Sequence, residues 1–246
     1  MRRDIAVLGT PARAVTVIRA AAAAAAAGAV ITGCSSMQMG AAAIVGNQRI
    51  SVAQLDSEVS ALNKAYQPYS GTVTLSASDM PKDVLSWMIR FDVREDLARR
   101  AGITVTPSQA QQALSELYAS ASQQAAQSGA GKVSLTELAV ANGLPPDLLG
   151  ELGRYQAIEL AYVEKENGGK LPASPPAVTA ATTQFSKAEC QVYKSVPVKV
   201  NPQYGTLNYS QQTVVAAPDT LSRAEGPASA SAASGSSGGS GQAPSC

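Results

Sequence analysis

Carboxylates on predicted helices are the most numerous side chains in this sequence that could do acid–base chemistry. Two of them converging in a cleft would suit a glycosidase, in which one carboxyl donates a proton and the other acts as base or nucleophile. The acidic residues that come closest to such a pair are Glu95, Asp96, Glu151, Glu159, Glu164 and Glu166. Basic residues flank them on the same helices, namely Arg94, Arg99, Arg100, Arg154 and Lys165. The pattern therefore favours a solvated face crossed by salt bridges over a catalytic pair.

Nucleophilic catalysis lacks its usual base, because the 246-residue chain contains no histidine. A Ser-His-Asp or Cys-His arrangement cannot be assembled, and neither can a zinc site that uses imidazole. Residues 235–239 formally fit the G-x-S-x-G nucleophile elbow. That motif needs a strand-to-helix turn and a histidine partner, and this low-complexity stretch supplies neither. We therefore expect a protein that is not an enzyme, with no catalytic residue, no metal and no cofactor.

Cys34 follows the features of an export signal. The start of the chain is basic, with Arg2 and Arg3, and residues 20–31 are apolar and rich in alanine. The two residues before Cys34 are the small residues threonine and glycine, as expected at a processing site. The apolar run is shorter than the roughly 20 residues that a bilayer span needs, so a permanent span is not expected.

Residues 31–34, Ile-Thr-Gly-Cys, resemble a bacterial lipobox. The resemblance implies that Cys34 carries acyl chains such as palmitate and becomes the mature N-terminus. Residues 1–33 would then be a lipoprotein signal peptide and residues 34–41 a tether. The protein would be anchored by lipid to the cell membrane, on its extracytoplasmic face. A signal peptide that happens to contain a cysteine, or an N-terminal transmembrane helix, is the alternative.

The other two cysteines leave two possibilities open. If Cys34 is acylated, Cys190 and Cys246 could form a disulfide in an oxidising compartment. Because Cys246 ends a predicted flexible tail, two unpaired thiols are the alternative. The chain has 19 Lys+Arg against 18 Asp+Glu, and this balance gives no indication of nucleic-acid binding.

The elements that position these residues are mostly helical. Residues 41–50 predict two short strands joined by a Gly-Asn turn. Ser51 with Gln54 forms a capping box for a helix that runs to about Tyr66. Residues 81–101 predict a long helix that is apolar around most of its circumference, and we expect it at the centre of the domain.

The second half of the chain predicts shorter elements and then a tail. A capping box at Thr106 begins a helix that we expect to dissolve into a Gln/Ala/Ser/Gly connector over residues 120–131. Residues 213–246 are predicted to be a disordered tail rich in Ser, Ala and Gly. Between the connector and the tail, the expected elements are helices over residues 134–143, 145–167 and 178–193 and an edge strand over residues 195–200.

Trp87, Met88 and Phe91 lie at helical spacing on the predicted central helix. They could contact a bound peptide, because aromatic rings and methionine adapt to varied apolar partners. The alternative is that all three belong to the hydrophobic core, which their spacing favours.

Three successive segments resemble the N-terminal chaperone domain of the SurA family, which is related to trigger factor and PpiC-type foldases. Residues 41–62 (AAAIVGNQRISVAQLDSEVSAL) resemble its opening strand, turn and capped helix. Residues 84–114 (VLSWMIRFDVREDLARRAGITVTPSQAQQAL) resemble its central helix and the helix that follows. Residues 134–165 (SLTELAVANGLPPDLLGELGRYQAIELAYVEK) resemble its short helix, glycine break and long helix. The order and spacing are preserved from about Ile44 to Lys165.

The resemblance implies a mainly α fold, a SurA N-terminal-like domain over residues 42–212. It also implies a small sheet in which residues 196–200 return to lie beside residues 42–45. Residues 201–205, Asn-Pro-Gln-Tyr-Gly, resemble the Asn-Pro-Arg-Tyr-Gly segment of actinobacterial lipoproteins with this domain. The parvulin isomerase module of larger members has no counterpart here, because the interval from residue 167 to 195 is too short to bury a core of its own.

These features predict a non-catalytic, SurA-like chaperone of the cell envelope. As a membrane-anchored lipoprotein it would bind unfolded or exported polypeptides in an apolar groove between helices. A second hypothesis is a structural or scaffolding envelope lipoprotein with one dedicated protein partner. A third is a peptidyl-prolyl isomerase.

Overall fold

Six α-helices and five short β-strands form the part of the protein that the computed structural model describes, residues 40–129 and 133–217. The helices are α1 (Val52–Tyr66), α2 (Met80–Ala101), α3 (Pro107–Gln127), α4 (Leu135–Ala141), α5 (Leu149–Glu166) and α6 (Pro175–Ser195). The strands are β1 (Ala41–Val45), β2 (Gln48–Ser51), β3 (Val198–Val200), β4 (Thr206–Asn208) and β5 (Thr213–Val215). The predicted fold class, mainly α with a small sheet, is confirmed. Among the residues described, no helix combines the length and the apolar character that a bilayer span requires.

The predicted return of the late strand to the opening strand is confirmed. β1 is the middle strand of an antiparallel sheet of order β2-β1-β3, in which Ala43 lies opposite Val200 and Val45 opposite Val198. Asn201 secures this closure, because its backbone N–H donates to the carbonyl oxygen of Ala42 (2.8 Å) and its side-chain amide donates to that of Ala41 (3.1 Å). The sheet thus joins the first strand to a strand that follows all six helices.

The predicted helix starts are confirmed at Ser51, Thr106 and Ser134. The Ser51 hydroxyl accepts a hydrogen bond from the backbone N–H of Gln54 (3.1 Å) at the start of α1. Thr106 and Gln109 form a reciprocal capping box at the start of α3. Each cap satisfies a backbone N–H that the first turn of a helix leaves without an internal partner.

α3 extends further than the sequence analysis predicted. The connector expected over residues 120–131 is wrong for residues 120–127, which continue the helix to Gln127. Alanine and glutamine are good helix formers, and Leu117, Tyr118 and Ala121 give this part of α3 an apolar face to pack. Helix α6 also begins at Pro175, three residues before the predicted start.

The β4–β5 hairpin is a feature that the sequence analysis missed. β5 lies beyond residue 212, where the domain was expected to end, and its Val214 is 6% exposed. Helix α2 holds the hairpin, because the Ser86 hydroxyl accepts from the backbone N–H of Val214 (2.8 Å) and the Arg90 guanidinium donates to the carbonyl oxygen of Gln212 (2.9 Å). Folded structure therefore continues past residue 212.

Helix α2 lies at the centre of the domain, as its apolar circumference predicted. It packs against α1, α5, α6, β1 and the β4–β5 hairpin. Val84, Leu85, Ile89 and Val93 on α2 are fully buried. A helix surrounded in this way has little room for a charge, which makes Arg94 the exception to explain.

Arg94 is a buried cation that joins α2 to α5 and α6. Its guanidinium donates to Glu189 of α6 through two nitrogens, at 2.9 and 2.7 Å, and to Glu159 of α5 at 3.0 Å. Its carbon lies 3.4 Å from the ring centre of Tyr155 and 4.5 Å from that of Phe185. Glu189 also accepts from the side-chain amide of Gln212, at 3.1 Å, so the network reaches the hairpin.

We predict that Arg94→Met will destabilise the protein by about 3–5 kcal/mol, because it leaves the buried Glu189 carboxylate without its counter-ion. Arg99→Met is the matched control, since Arg99 is exposed and pairs with Asp96 on the protein surface; it should cost less than about 1 kcal/mol. Urea unfolding measures both free energies. Replacing Glu189 by Met together with Arg94→Met should recover much of the loss, and equal costs for the two single variants would contradict the prediction.

Candidate functional site

An apolar groove lies between α3, α4 and α5, with Trp87 of α2 along one side. Its volume is about 210 Å³. No lining side chain is charged, and most are large and apolar. The lining residues are Trp87, Leu117, Tyr118, Ala121, Leu135, Leu138, Ala139, Asn142, Leu144, Leu149, Leu152 and Gln156. Several of them are only half-buried, so apolar surface remains accessible from solvent.

The groove forms beside a close contact between α3 and α5. A Cβ atom at Gly153 would come within 2.5 Å of the carbonyl oxygen of Ala110 and 3.1 Å of the Cβ of Leu114. Only glycine allows the two backbones to approach so closely. The larger side chains Leu117 and Leu149 lie next to this contact and line the groove.

Helix α4 forms one wall, and contacts at both of its ends fix it. The Trp87 indole N–H donates to the carbonyl oxygen of Asn142 (2.9 Å), just after the helix. At the other end, the Tyr118 hydroxyl donates to the carbonyl oxygen of Val133 (3.1 Å). Gly143 has φ +67° and lies against Asp83 of α2, where a Cβ would approach to 2.8 Å. The wall is therefore held to both α2 and α3.

Trp87 is itself held by aromatic neighbours. Its ring centre lies 5.8 Å from that of Phe91 and 6.3 Å from that of Tyr155, and the Phe91 and Tyr155 centres are 5.7 Å apart. Tyr155 contacts both other rings edge-on, whereas the Trp87 and Phe91 rings are tilted by 32° to each other. Ring pairs in such arrangements have a preferred orientation. The groove therefore has an aromatic side wall that is formed before any ligand arrives.

The structure separates the three predicted peptide-contact residues. Trp87 is half-buried and lines the groove. Met88 and Phe91 are 6% and 8% exposed, and both border a different cavity beside β2. Trp87 is thus placed where it can contact a ligand in the groove, while Met88 and Phe91 are largely within the core.

The cavity beside β2 has a volume of about 450 Å³ and is polar. It contains Asp92 and Glu95 of α2 and Glu151 of α5. Glu95 forms a bidentate ion pair with Arg154, whereas the side-chain carboxylate of Asp92 makes no hydrogen bond or ion pair with any residue that the structure describes. Burial, followed by the charges of Glu151 and Glu95, raises the pKa of Asp92 to about 6 from its ordinary 3.8.

The predicted salt-bridged face is found in part. Asp96 pairs with Arg99 and Arg100 at the surface, as expected. The exception is Arg94, which the sequence analysis assigned to the solvated face and which is 3% exposed. Within residues 40–129 and 133–217, no group of three or more Cys, Asp or Glu side chains could hold a metal ion.

The two predictions about cysteines both involve residues outside the part of the chain that the structure describes. Cys34, the expected lipidation site, lies outside them. Cys190 on α6 is disulfide-bonded, and the two other cysteines of the sequence, Cys34 and Cys246, both lie outside the described residues.

The sequence analysis missed Gln156 and Asn142 as groove residues. Both side chains are polar, and the sequence analysis considered only aromatic and apolar side chains as peptide contacts. The available signal was spacing, since Gln156 follows Leu152 by four residues and Leu149 by seven, which places all three on one helix face. Asn142 could not be found in this way, because it lies at the end of α4 and not at a position that helical periodicity would indicate.

We predict that Asp92→Asn will stabilise the protein above pH 6 and that the gain will vanish as the pH falls. The folded-state pKa of Asp92 is raised to about 6. At neutral pH the folded protein therefore holds a buried, charged Asp92 carboxylate, which lowers the free energy of unfolding. Between pH 6 and 4 the folded protein takes up a proton that the unfolded chain does not hold, and the penalty disappears.

Allowing for partial exposure, the gain should be on the order of 1–2 kcal/mol at pH 7.5. Thermal or urea unfolding of both proteins at pH 7.5 and pH 4 measures it. Glu116→Gln, at an exposed position on α3, is the control and should show little change at either pH. A gain for Asp92→Asn that persists undiminished at pH 4 would contradict the assignment.

Part of the chain is similar to a known domain family. Residues 10–128 match a family model described as the SurA-like N-terminal domain. This range is just under half of the sequence; it contains Trp87 and the α3 wall of the groove and ends before α4 and α5. No curated protein and no solved structure gives a significant match. The match supports a SurA-like domain of the chaperone type, in agreement with the resemblance seen in the sequence.

Proposed function

We propose that this protein is a lipid-anchored, extracytoplasmic chaperone that binds apolar segments of unfolded or exported polypeptides without catalysing a reaction. The observation that carries the proposal is the apolar groove, which is concave, partly open and free of charged lining residues. The match to a SurA-like domain supports polypeptides as the class of ligand.

The size of the groove sets the kind of binding. A volume of about 210 Å³ admits one or two large apolar side chains rather than a whole helix. Burying a leucine or phenylalanine side chain is worth about 1.5–3 kcal/mol, from which the entropy of association must be subtracted. Binding at one groove is therefore weak and readily reversed, as a chaperone that must release its clients requires.

The lipid anchor would place this groove near the membrane. With Cys34 acylated, six residues lie between the anchor and the first residue of β1, Ala41. A fully extended tether of this length spans at most about 25 Å. The groove would then meet polypeptides as they emerge from the membrane rather than after they have diffused away.

Replacing a groove leucine should impair chaperone activity. We predict that Leu149→Ser will reduce suppression of aggregation of several unrelated unfolded proteins, because it places a hydroxyl in the apolar lining. Leu160→Ser is the matched control, since Leu160 lies on the same helix, is 37% exposed and does not line the groove. Light scattering at fixed client concentration measures the effect.

The breadth of clients distinguishes the hypotheses. Suppression limited to a single partner, and retained for no other client, would favour the scaffold over the chaperone. Equal activity of Leu149→Ser and Leu160→Ser would show that the groove is not the binding site. Turnover of a prolyl peptide at substoichiometric protein would favour the isomerase.

Lipidation is tested separately by the mass of the mature N-terminus. The proposal expects a chain that begins at Cys34 with attached acyl chains and that fractionates with membranes. Cys34→Ser should yield unmodified protein that is released from the membrane fraction. A mature wild-type chain that begins elsewhere, or that carries no lipid, would remove the anchor without affecting the groove.

A further inference from the structure

Gln156 is a polar side chain without a partner in an otherwise apolar lining. It is half-buried on α5, on the same helix face as Leu149 and Leu152. Its carboxamide makes no hydrogen bond with any residue that the structure describes. The other polar lining side chains differ, because the Tyr118 hydroxyl donates to Val133 and the Asn142 amide donates to Leu138 (2.7 Å).

The Gln156 amide favours ligands that can form hydrogen bonds with it. While the groove is open, water can satisfy both the amide N–H groups and the amide oxygen. An apolar ligand without hydrogen-bonding groups would displace this water and leave the Gln156 amide unsatisfied, at a cost of about 1–3 kcal/mol. A ligand that supplies one donor and one acceptor avoids this cost.

The peptide main chain meets that condition. Each residue of an extended polypeptide carries one N–H and one C=O, the complement of a carboxamide, which has two N–H donors and an accepting oxygen. Apolar side chains of the same segment would contact the lining leucines and Trp87. The groove lining therefore matches an extended apolar peptide better than a lipid tail or an apolar small molecule.

We infer that Gln156 binds the main chain of an extended apolar segment in the groove and so determines selectivity for polypeptide over other apolar ligands. Its Nε2 donates to a peptide carbonyl oxygen, and its Oε1 accepts from a peptide N–H. The inference rests on the proposed function, because it names the residue through which the same groove recognises its ligand.

Binding of a defined peptide to full-length variants tests the inference. The probe is a fluorescein-labelled peptide with leucine, phenylalanine and leucine at its centre and glycine and serine at its flanks. Gln156→Met keeps the length of the side chain and removes its hydrogen bonds. We expect the peptide affinity measured by fluorescence anisotropy to fall about 5- to 30-fold, as the loss of one or two such bonds predicts. Gln124→Met, at an exposed position of α3 outside the groove, should bind like wild type.

Two further measurements separate a hydrogen-bonding role from a structural one. Binding of the apolar dye anilinonaphthalene sulfonate, displaced by the peptide, should stay within about twofold of wild type in Gln156→Met. Peptides that are N-methylated at each central amide in turn should include one that binds wild type more weakly but binds Gln156→Met as well as the parent peptide does. Thermal unfolding of each variant confirms that the fold is retained.

The outcomes that overturn the inference are distinct from those that overturn the proposed function. Peptide affinity of Gln156→Met within about twofold of wild type would remove the inference, and so would equal weakening of peptide and dye. If Leu149→Ser abolishes peptide binding in the same experiment, the proposed function is retained even though the inference about Gln156 is wrong. Absence of saturable peptide binding by wild type would overturn both.

Discussion

The buried guanidinium of Arg94 is the interaction on which the arrangement of the helices depends. It lies on the central helix, is 3% exposed and pairs with Glu159 of α5 and Glu189 of α6. A charge removed from water is tolerated only where its partners satisfy it, so each partner must be in place when the domain is folded. α2, α5 and α6 are therefore fixed relative to one another by a requirement stricter than apolar packing, which tolerates substitution more easily.

The same cation connects the interior of the domain to the groove. Arg94 stacks on the ring of Tyr155, which contacts Trp87 and Phe91 edge-on. Trp87 in turn donates to the carbonyl oxygen of Asn142 and so holds the end of α4. A continuous chain of contacts thus runs from a buried ion pair to the groove wall. The wall is formed in advance, so a ligand need not supply the free energy to order it.

The sequence predicts the elements of this fold better than it predicts their connections. Capping at Thr106 and the apolar circumference of α2 are local signals, and both are confirmed. Arg94 was assigned to a solvated face, because its partners are 65 and 95 residues away along the chain and no local pattern reveals them. The β4–β5 hairpin was missed for the same reason: its strands have three residues each, and Ser86 and Arg90 on a distant helix hold it. At the groove, the sequence analysis offered Trp87 as a possible peptide contact while its spacing favoured the core. Gln156 was not considered, because a polar residue on a helix is most often exposed.

A comparison with the polar cavity beside β2 supports the groove as the better site for the proposed polypeptide ligand. A segment entering the cavity beside β2 would remove water from Asp92, whose raised pKa already shows the cost of keeping its charge, and neutral apolar side chains cannot repay that cost. Under the proposed function, a ligand in the groove would have to provide hydrogen bonds only for Gln156, and its apolar atoms would gain free energy by covering the lining. Each proposed encounter would be weak, but anchoring at a membrane would hold many such grooves close to emerging chains. The high local concentration of grooves would then compensate for the low affinity of each one, and a client with several apolar segments would be retained by repeated rebinding.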